Sequence, residues 1–257
     1  MNKSLLSYKP IVTTYQSKYR SGETLQEIFV CPEESQFYSQ CLERMVLNHC
    51  EDSTSIVEFG AGDGSPVINS LLKSQFSGLI HGYELNSKAC ELAQFRIERN
   101  LLGNNYIVYN SCFFQRAWQA EDNYLISNPP YLPAINNDIY MPTLHGGSDG
   151  ASITKQLLSM DCQSAMLMIS AYSDPVGTIE HAIAQGYQVQ DFITSPMSFG
   201  YYSSEPKVKE RIAELQKYGK AFYSENIYIL AGVLFKKRLT TSQVDLSNEL
   251  IKIMTSL

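Results

Sequence analysis

The stretch Ser127-Asn128-Pro129-Pro130-Tyr131 holds residue types suited to gripping a planar nitrogen. It closes the apolar run Tyr124-Leu125-Ile126, which reads as a short buried strand. Pro129 has no N–H for a sheet ladder and biases Asn128 toward extended backbone, so the strand must stop here. Two successive prolines leave carbonyls without local donors. Asn128 is thus held stiffly at a strand end, followed by the flat ring of Tyr131. An amide oxygen, a rigid carbonyl and an aromatic face make a clamp for a group bearing N–H. A strand that merely ends in a proline turn has the same composition, so other segments must decide.

Ser55-Ile56-Val57-Glu58-Phe59 is a β-branched strand that runs into Gly60-Ala61-Gly62-Asp63-Gly64, with a helix starting near Pro66. Glycines there permit positive φ and close approach of a ligand to bare backbone. The spacing is G-x-G-x-G and not the G-x-G-x-x-G of a dinucleotide fingerprint. Glu58, just before the loop, suits a ligand with positive charge better than a pyrophosphate. Leu79 to Glu84 is a second strand ending in an acid, about 20 residues past the glycines, where a carboxylate can take two ribose hydroxyls. Tyr106 to Tyr109 is a third strand, ending near Ser111, Cys112 and Phe113. Strands separated by helical segments predict a parallel, doubly wound sheet whose ligand crevice lies at the carboxyl ends. Gly60, Glu84, Ser111 and Asn128 all fall at such ends.

The remaining segments fit that plan. Pro32 opens a helix with Tyr38, Cys41, Leu42, Met45 and Val46 on one face, and Glu33 and Glu34 read as first-turn acids favoured by the dipole. Ala165 to Ala171 is a fifth strand, and Val189–Thr194 and Ile227–Phe235 are two closing strands. Pro196 to Glu225 is an insertion between them: an aromatic cluster with Tyr201 and Tyr202, then a short helix from Pro206 ended by Gly219. His145, beside Gly146 to Gly150, is a candidate base. The tail from Ser242 is amphipathic and packs on the domain.

At 257 residues, with 44% hydrophobic and 18% charged residues, the chain is globular. A net charge of −6 weighs against a large nucleic-acid footprint. No apolar run reaches the ~20 residues of a membrane span. The six cysteines include no CxxC pair, which points to free thiols in a reducing cytoplasm and to no zinc site.

Together, Glu58 to Gly64, Glu84 and Asn128-Pro129-Pro130-Tyr131 resemble the class I S-adenosylmethionine-dependent methyltransferases, whose N-methylating branch carries NPPY. Gly146 to Gly150 is similar to the corresponding segment of HemK-type release-factor glutamine methyltransferases. Pro32-Glu33-Glu34-Ser35 resembles a segment of their eukaryotic and archaeal relatives. The resemblance implies a Rossmann-like α/β fold with seven strands, mostly parallel, the last antiparallel. It implies an N-methyltransferase acting on a planar amide or amine nitrogen of a small molecule or protein side chain. Gly60, Ala61, Gly62 and Gly64 would border the methionine part of S-adenosylmethionine, with Glu58 facing its amino group. Glu84 would hold the ribose, and Ser111, Cys112 and Phe113 the adenine. Asn128 and the Pro129 carbonyl would accept from the acceptor nitrogen, Pro130 would stiffen the clamp, and Tyr131 would pack on the acceptor plane. The chain departs from the family at Cys112 and Asn123, where Asp is common. The expected layout is an arm and helix over 1–50, the catalytic domain over 51–240 with a lid at 196–225, and a terminal helix over 241–257. Tyr201 and Tyr202 would wall the acceptor pocket. A nucleic-acid exocyclic-amine methyltransferase and a non-catalytic binding module are the other classes this sequence admits.

Overall fold

The computed structural model describes residues 28–51, 54–115, 124–160, 162–238 and 244–257. Asn123 and most of the N-terminal arm lie outside the described residues.

Pro32 occupies the first turn of α1 (Pro32–Leu42), and the helix runs on through one π turn, Glu43–Leu47. Five strands then alternate with helices: β1 (Ser55–Phe59), α2 (Ser65–Leu71), β2 (Leu79–Glu84), α3 (Ser87–Arg99), β3 (Tyr106–Asn110), β4 (Tyr124–Ser127), α4 (Ser152–Leu158) and β5 (Ser164–Ser170). After α5 (Pro175–Ala184) come β6 (Tyr187–Ser198), α6 (Pro206–Lys217), β7 (Tyr223–Ser224), β8 (Ile227–Lys237) and α7 (Ser247–Met254). Local signals explain the starts. Asn86 caps α3 through two backbone N–H groups, and Pro66, Pro175 and Pro206 sit in first turns.

The sheet order is β3-β2-β1-β4-β5-β8-β6. β1 to β5 pair in parallel, and β8 is antiparallel to both β5 and β6. This is the doubly wound, mostly parallel sheet expected from the sequence. An eighth, two-residue strand, β7, adds to the end of β8. Side chains of α1, α2, α3 and α6 pack in one apolar core and those of α4, α5 and α7 in another, one on each face of the sheet. β4 and β5 are buried along their whole length, as strands covered on both faces must be, which is why they read as unbroken apolar runs.

Two boundaries differ from the expectation. β6 does not stop at Thr194 but continues through Pro196, opposite Ile229, to Ser198. A proline is tolerated there because β6 is the edge strand. The inserted segment therefore begins at Phe199, beyond a long hairpin arm.

Candidate active site

Parallel register brings the motifs together. Ser127 ends β4 beside Phe59, the end of β1, and its hydroxyl donates to the Phe59 carbonyl at 2.9 Å. The NPPY segment and the glycine loop thus leave the sheet side by side. Gly60, Gly62 and Gly64 have φ of 70°, 56° and 71°. A Cβ on Gly60 or Gly62 would meet nothing within 4 Å, so that stretch of backbone borders open space. Gly64 differs, since its Cβ would press on Ala93 of α3 at 3.0 Å. Its glycine serves helix packing. Ala61 is buried, and the loop is tied to β2 by Gly60 and Ala61 N–H groups on the Tyr83 carbonyl. Glu84 accepts from Gly62 N–H at 2.8 Å and from Asn86 N–H at 2.7 Å, one on each oxygen.

Glu58 lies beneath the loop. It is 1% exposed, and its two oxygens take the hydroxyls of Tyr38 and Tyr106. Burial pushes its carboxyl up to about 7 against the opposing pull of those hydrogen bonds. At the end of β3, Ser111 is exposed and Cys112 half-buried. Phe113 is buried, edge-on to Phe59 and Tyr83.

Asn128 presents the most telling atom. Its Oδ1 is buried and has no hydrogen-bond partner. Among the described residues none donates to the Pro129 carbonyl either. Beside the clamp, Glu34, a half-buried acid on α1, accepts from the hydroxyls of Tyr131 and, at 3.1 Å, of Tyr228. Burial raises its carboxyl above the ordinary value, and these hydrogen bonds oppose that rise. Glu34 lies in the first turn of α1 as the sequence reading had it, and its carboxylate in addition takes the hydroxyls of Tyr131 and Tyr228. Tyr131 itself is 7% exposed, its ring edge-on to Tyr172 at 5.9 Å. Tyr172 packs in turn on Tyr228 at 4.6 Å and on Phe199 at 5.5 Å. Sequence reasoning missed Glu34, Tyr172, Phe199 and Tyr228 as neighbours of the clamp. The one signal available was the resemblance at Pro32 to Ser35.

The glycines after the clamp explain its rigidity. A Cβ on Gly146 would lie 2.7 Å from Tyr131 Cα and 2.8 Å from the Pro130 carbonyl. One on Gly150 would lie 2.6 Å from the Tyr131 carbonyl, which also accepts from the Ser173 hydroxyl at 2.7 Å. The loop can pack against the Pro130–Tyr131 backbone only because it lacks side chains there. His145 bonds the Ala134 carbonyl through Nε2 at 2.9 Å, a loop-holding contact.

The inserted segment docks on the same region. Glu205 is buried and accepts from the Tyr140 N–H at 2.7 Å; Lys207 pairs with Asp138; Arg211 donates to the Ser148 carbonyl at 2.7 Å. Phe199 is the residue it sends to the aromatic cluster. Tyr201 is 69% exposed and its ring tilts against Tyr140, while Tyr202 packs on Tyr201 and Phe29.

No protein-family profile matches the chain. It is similar to the release factor glutamine methyltransferase of Thermosynechococcus vestitus, at 29% identity over 113 residues, 40% of this chain. The match spans 38% of that relative's length. Among solved structures, a Pyrococcus horikoshii chain described as an RNA methyltransferase superposes with a TM-score of 0.52 at 12% identity, covering 80% of this chain and 84% of that one. The (4+2)-cyclase SpnF superposes at 0.50, also at 12% identity, over 80% and 81%. The fold is the one these chains share. Because one of them is described as a cyclase, the reaction has to be argued from the site's own residues. Among the described residues no group of three His, Cys, Asp or Glu is arranged to hold a metal, and no helix is long and apolar enough to cross a membrane.

Proposed function

We propose that this chain is an S-adenosylmethionine-dependent methyltransferase acting on a planar amide or amine nitrogen of a small molecule or protein side chain. The observation that carries this is Asn128 Oδ1, a buried acceptor without a partner, fixed beside an open glycine loop. An unsatisfied buried oxygen costs ~1–3 kcal/mol, and an N–H supplied by a second substrate removes that cost.

The residues fit the cofactor. Gly60 and Gly62 leave room against bare backbone, and each Glu84 oxygen keeps a lone pair for a ribose hydroxyl after its backbone bond. Ser111 and Cys112 border the adenine end, backed by Phe113. Glu58 stabilises the loop from below through Tyr38 and Tyr106, so its influence on a bound amino group is indirect. When bound, the cofactor supplies an electrophilic methyl group on a sulfonium. Asn128 Oδ1 and the Pro129 carbonyl each accept one N–H of the acceptor. Its lone pair is then steered out of conjugation and toward the methyl. Alignment of this kind supplies most of the rate, and the proton can leave afterwards. Pro130 stiffens the clamp and Tyr131 closes one side. We assign residues 51–240 to the catalytic unit, with 1–50 and 241–257 packed around it. The segment over 196–225 is a lid in which Phe199 packs on Tyr172 behind the clamp and Tyr201 and Tyr202 form the outer wall. A duplex nucleic acid fits a chain of charge −6 poorly. Six free thiols suit a reducing cytoplasm.

The test is to incubate the protein with methyl-labelled S-adenosylmethionine and cell extract, then separate small molecules, protein and nucleic acid. Label on nitrogen in the first or second fraction supports the proposal. Label in nucleic acid, or on oxygen or carbon, overturns the acceptor assignment.

A further inference from the structure

We propose that Tyr172 is a positioning residue: its ring packs on Tyr131 of the clamp and on Phe199 of the inserted segment, so that seating of that segment fixes the clamp. The benefit to catalysis rests on the methyl-transfer reading; the coupling itself does not. The four residues after β5, Ala171 to Asp174, are all buried and meet both structures. The Ala171 carbonyl accepts from the Phe222 N–H, and the Asp174 N–H donates to the Lys220 carbonyl, each at 2.9 Å. The returning limb of the inserted segment is thus tied to this turn by backbone. On the clamp side, the Ser173 hydroxyl donates to the Tyr131 carbonyl and the Tyr172 ring lies edge-on to Tyr131. Asp174 has a φ of 47°, a left-handed conformation that an aspartate tolerates. Its carboxylate takes Lys155 Nζ at 2.7 Å, and Lys155 also reaches Asp149 at 3.1 Å, in the glycine-rich loop that packs on the clamp.

The rings form a closed circuit. Tyr172 packs on Tyr228, Tyr228 and Tyr131 place their hydroxyls on the two oxygens of Glu34, and Tyr131 returns to Tyr172. Phe199 packs on two of its members, nearly parallel to Tyr172 and tilted against Tyr228 at 5.3 Å. In a close-packed interior no void absorbs a displaced ring, so its neighbours feel the shift. Removing Phe199 therefore loosens Tyr172, and Tyr131 loses the ring that sets its plane.

The experiment reads the clamp without its acceptor. Backbone amide exchange is followed in ¹H–¹⁵N spectra of the full chain at Leu132, whose N–H is held by the Leu144 carbonyl, and at Gly146, held by the Leu132 carbonyl. Both rates are scaled to Cys90 in α3, held by the Asn86 carbonyl, which cancels a general loss of stability. Phe199→Ala should speed the two clamp amides at least about fivefold on that scale. Tyr172→Leu should do at least as much, and adding Phe199→Ala to it should speed them no further. Tyr172→Phe keeps the ring and should match the wild type. Should Tyr172→Leu not fold, Tyr172→Met, whose flexible side chain fills irregular space, takes its place. Unchanged clamp amides in Phe199→Ala, additive effects of the two substitutions, or a Tyr172→Phe protein as fast as Tyr172→Leu overturns the inference. With methyl-labelled S-adenosylmethionine and cell extract, Phe199→Ala should transfer at least about tenfold more slowly, while calorimetry finds cofactor affinity near wild type. Undiminished transfer overturns the positioning role. Cofactor binding by the wild type with additive exchange sinks this inference alone. Coupled exchange with no cofactor binding sinks the methyl-transfer reading and leaves the coupling standing.

Discussion

Glu58→Gln should reverse its effect on stability as pH rises. Glu58 is buried with its carboxyl raised from 4.5 to about 7. The native state therefore holds this proton more tightly than the unfolded chain does. Below the unfolded value both states are protonated and the group imposes no charge penalty. Between 4.5 and about 7 only the unfolded chain ionises, so stability falls as pH rises. Above that the penalty is constant. With the carboxyl held from 4.5 up to about 7, at 1.36 kcal/mol for each pH unit the loss across that range is about 3 kcal/mol. Glutamine cannot ionise and shows none of it. It keeps one oxygen for a phenol, but its NH₂ faces a hydroxyl that now donates to Glu58, at a cost of about 1 kcal/mol. Urea unfolding of both proteins across this range should give crossing curves. The variant should be weaker by about 1 kcal/mol near pH 4.5 and stronger by about 2 kcal/mol near pH 8. Other titrating groups, Glu34 among them, cancel in the difference between the two proteins. Parallel curves would refute the account, because Glu58 would then ionise with similar ease in both states.

Further outcomes follow from the site. Glu84→Ala removes the carboxylate that holds Gly62 and is left with lone pairs for the ribose. Calorimetry should show S-adenosylmethionine binding weakened by ~1–3 kcal/mol. Gly150→Ala adds a Cβ 2.6 Å from the Tyr131 carbonyl at a φ of 77°, so it should displace the clamp. Turnover should drop at least about tenfold while cofactor affinity stays near wild type, a split that local loop strain alone would not produce. Cys112→Asp should leave cofactor affinity equal or higher by supplying an acceptor at the adenine end. Weaker binding would place Cys112 away from the adenine.

Much of this was legible in sequence because the signals were local. Pro129 soon after an apolar run, glycines after Phe59 and an acid ending β2 each report on backbone within a few residues. Parallel topology then carries them to one edge. What was not legible depends on pairs far apart in the chain. Nothing near Glu34 reveals that Tyr131 and Tyr228 converge on it, and a first-turn acid is ordinarily explained by the helix dipole. Phe113, read as bordering the adenine, is buried edge-on to Phe59 and Tyr83, a packing no local signal shows. Phe199 packs on Tyr172, behind the clamp, because β6 runs four residues past Thr194 before the aromatic cluster begins. The proline inside that strand was read as its end because the sequence does not show which strand is the edge.

The most direct measurement is methyl transfer by wild type and Asn128→Ala, side by side, with calorimetry of S-adenosylmethionine on both. The account predicts similar cofactor affinity for the two proteins, labelled methyl on an acceptor nitrogen with the wild type, and none above background with the variant. Equal transfer by both proteins would contradict it, since the partnerless Asn128 oxygen would then play no part in the reaction.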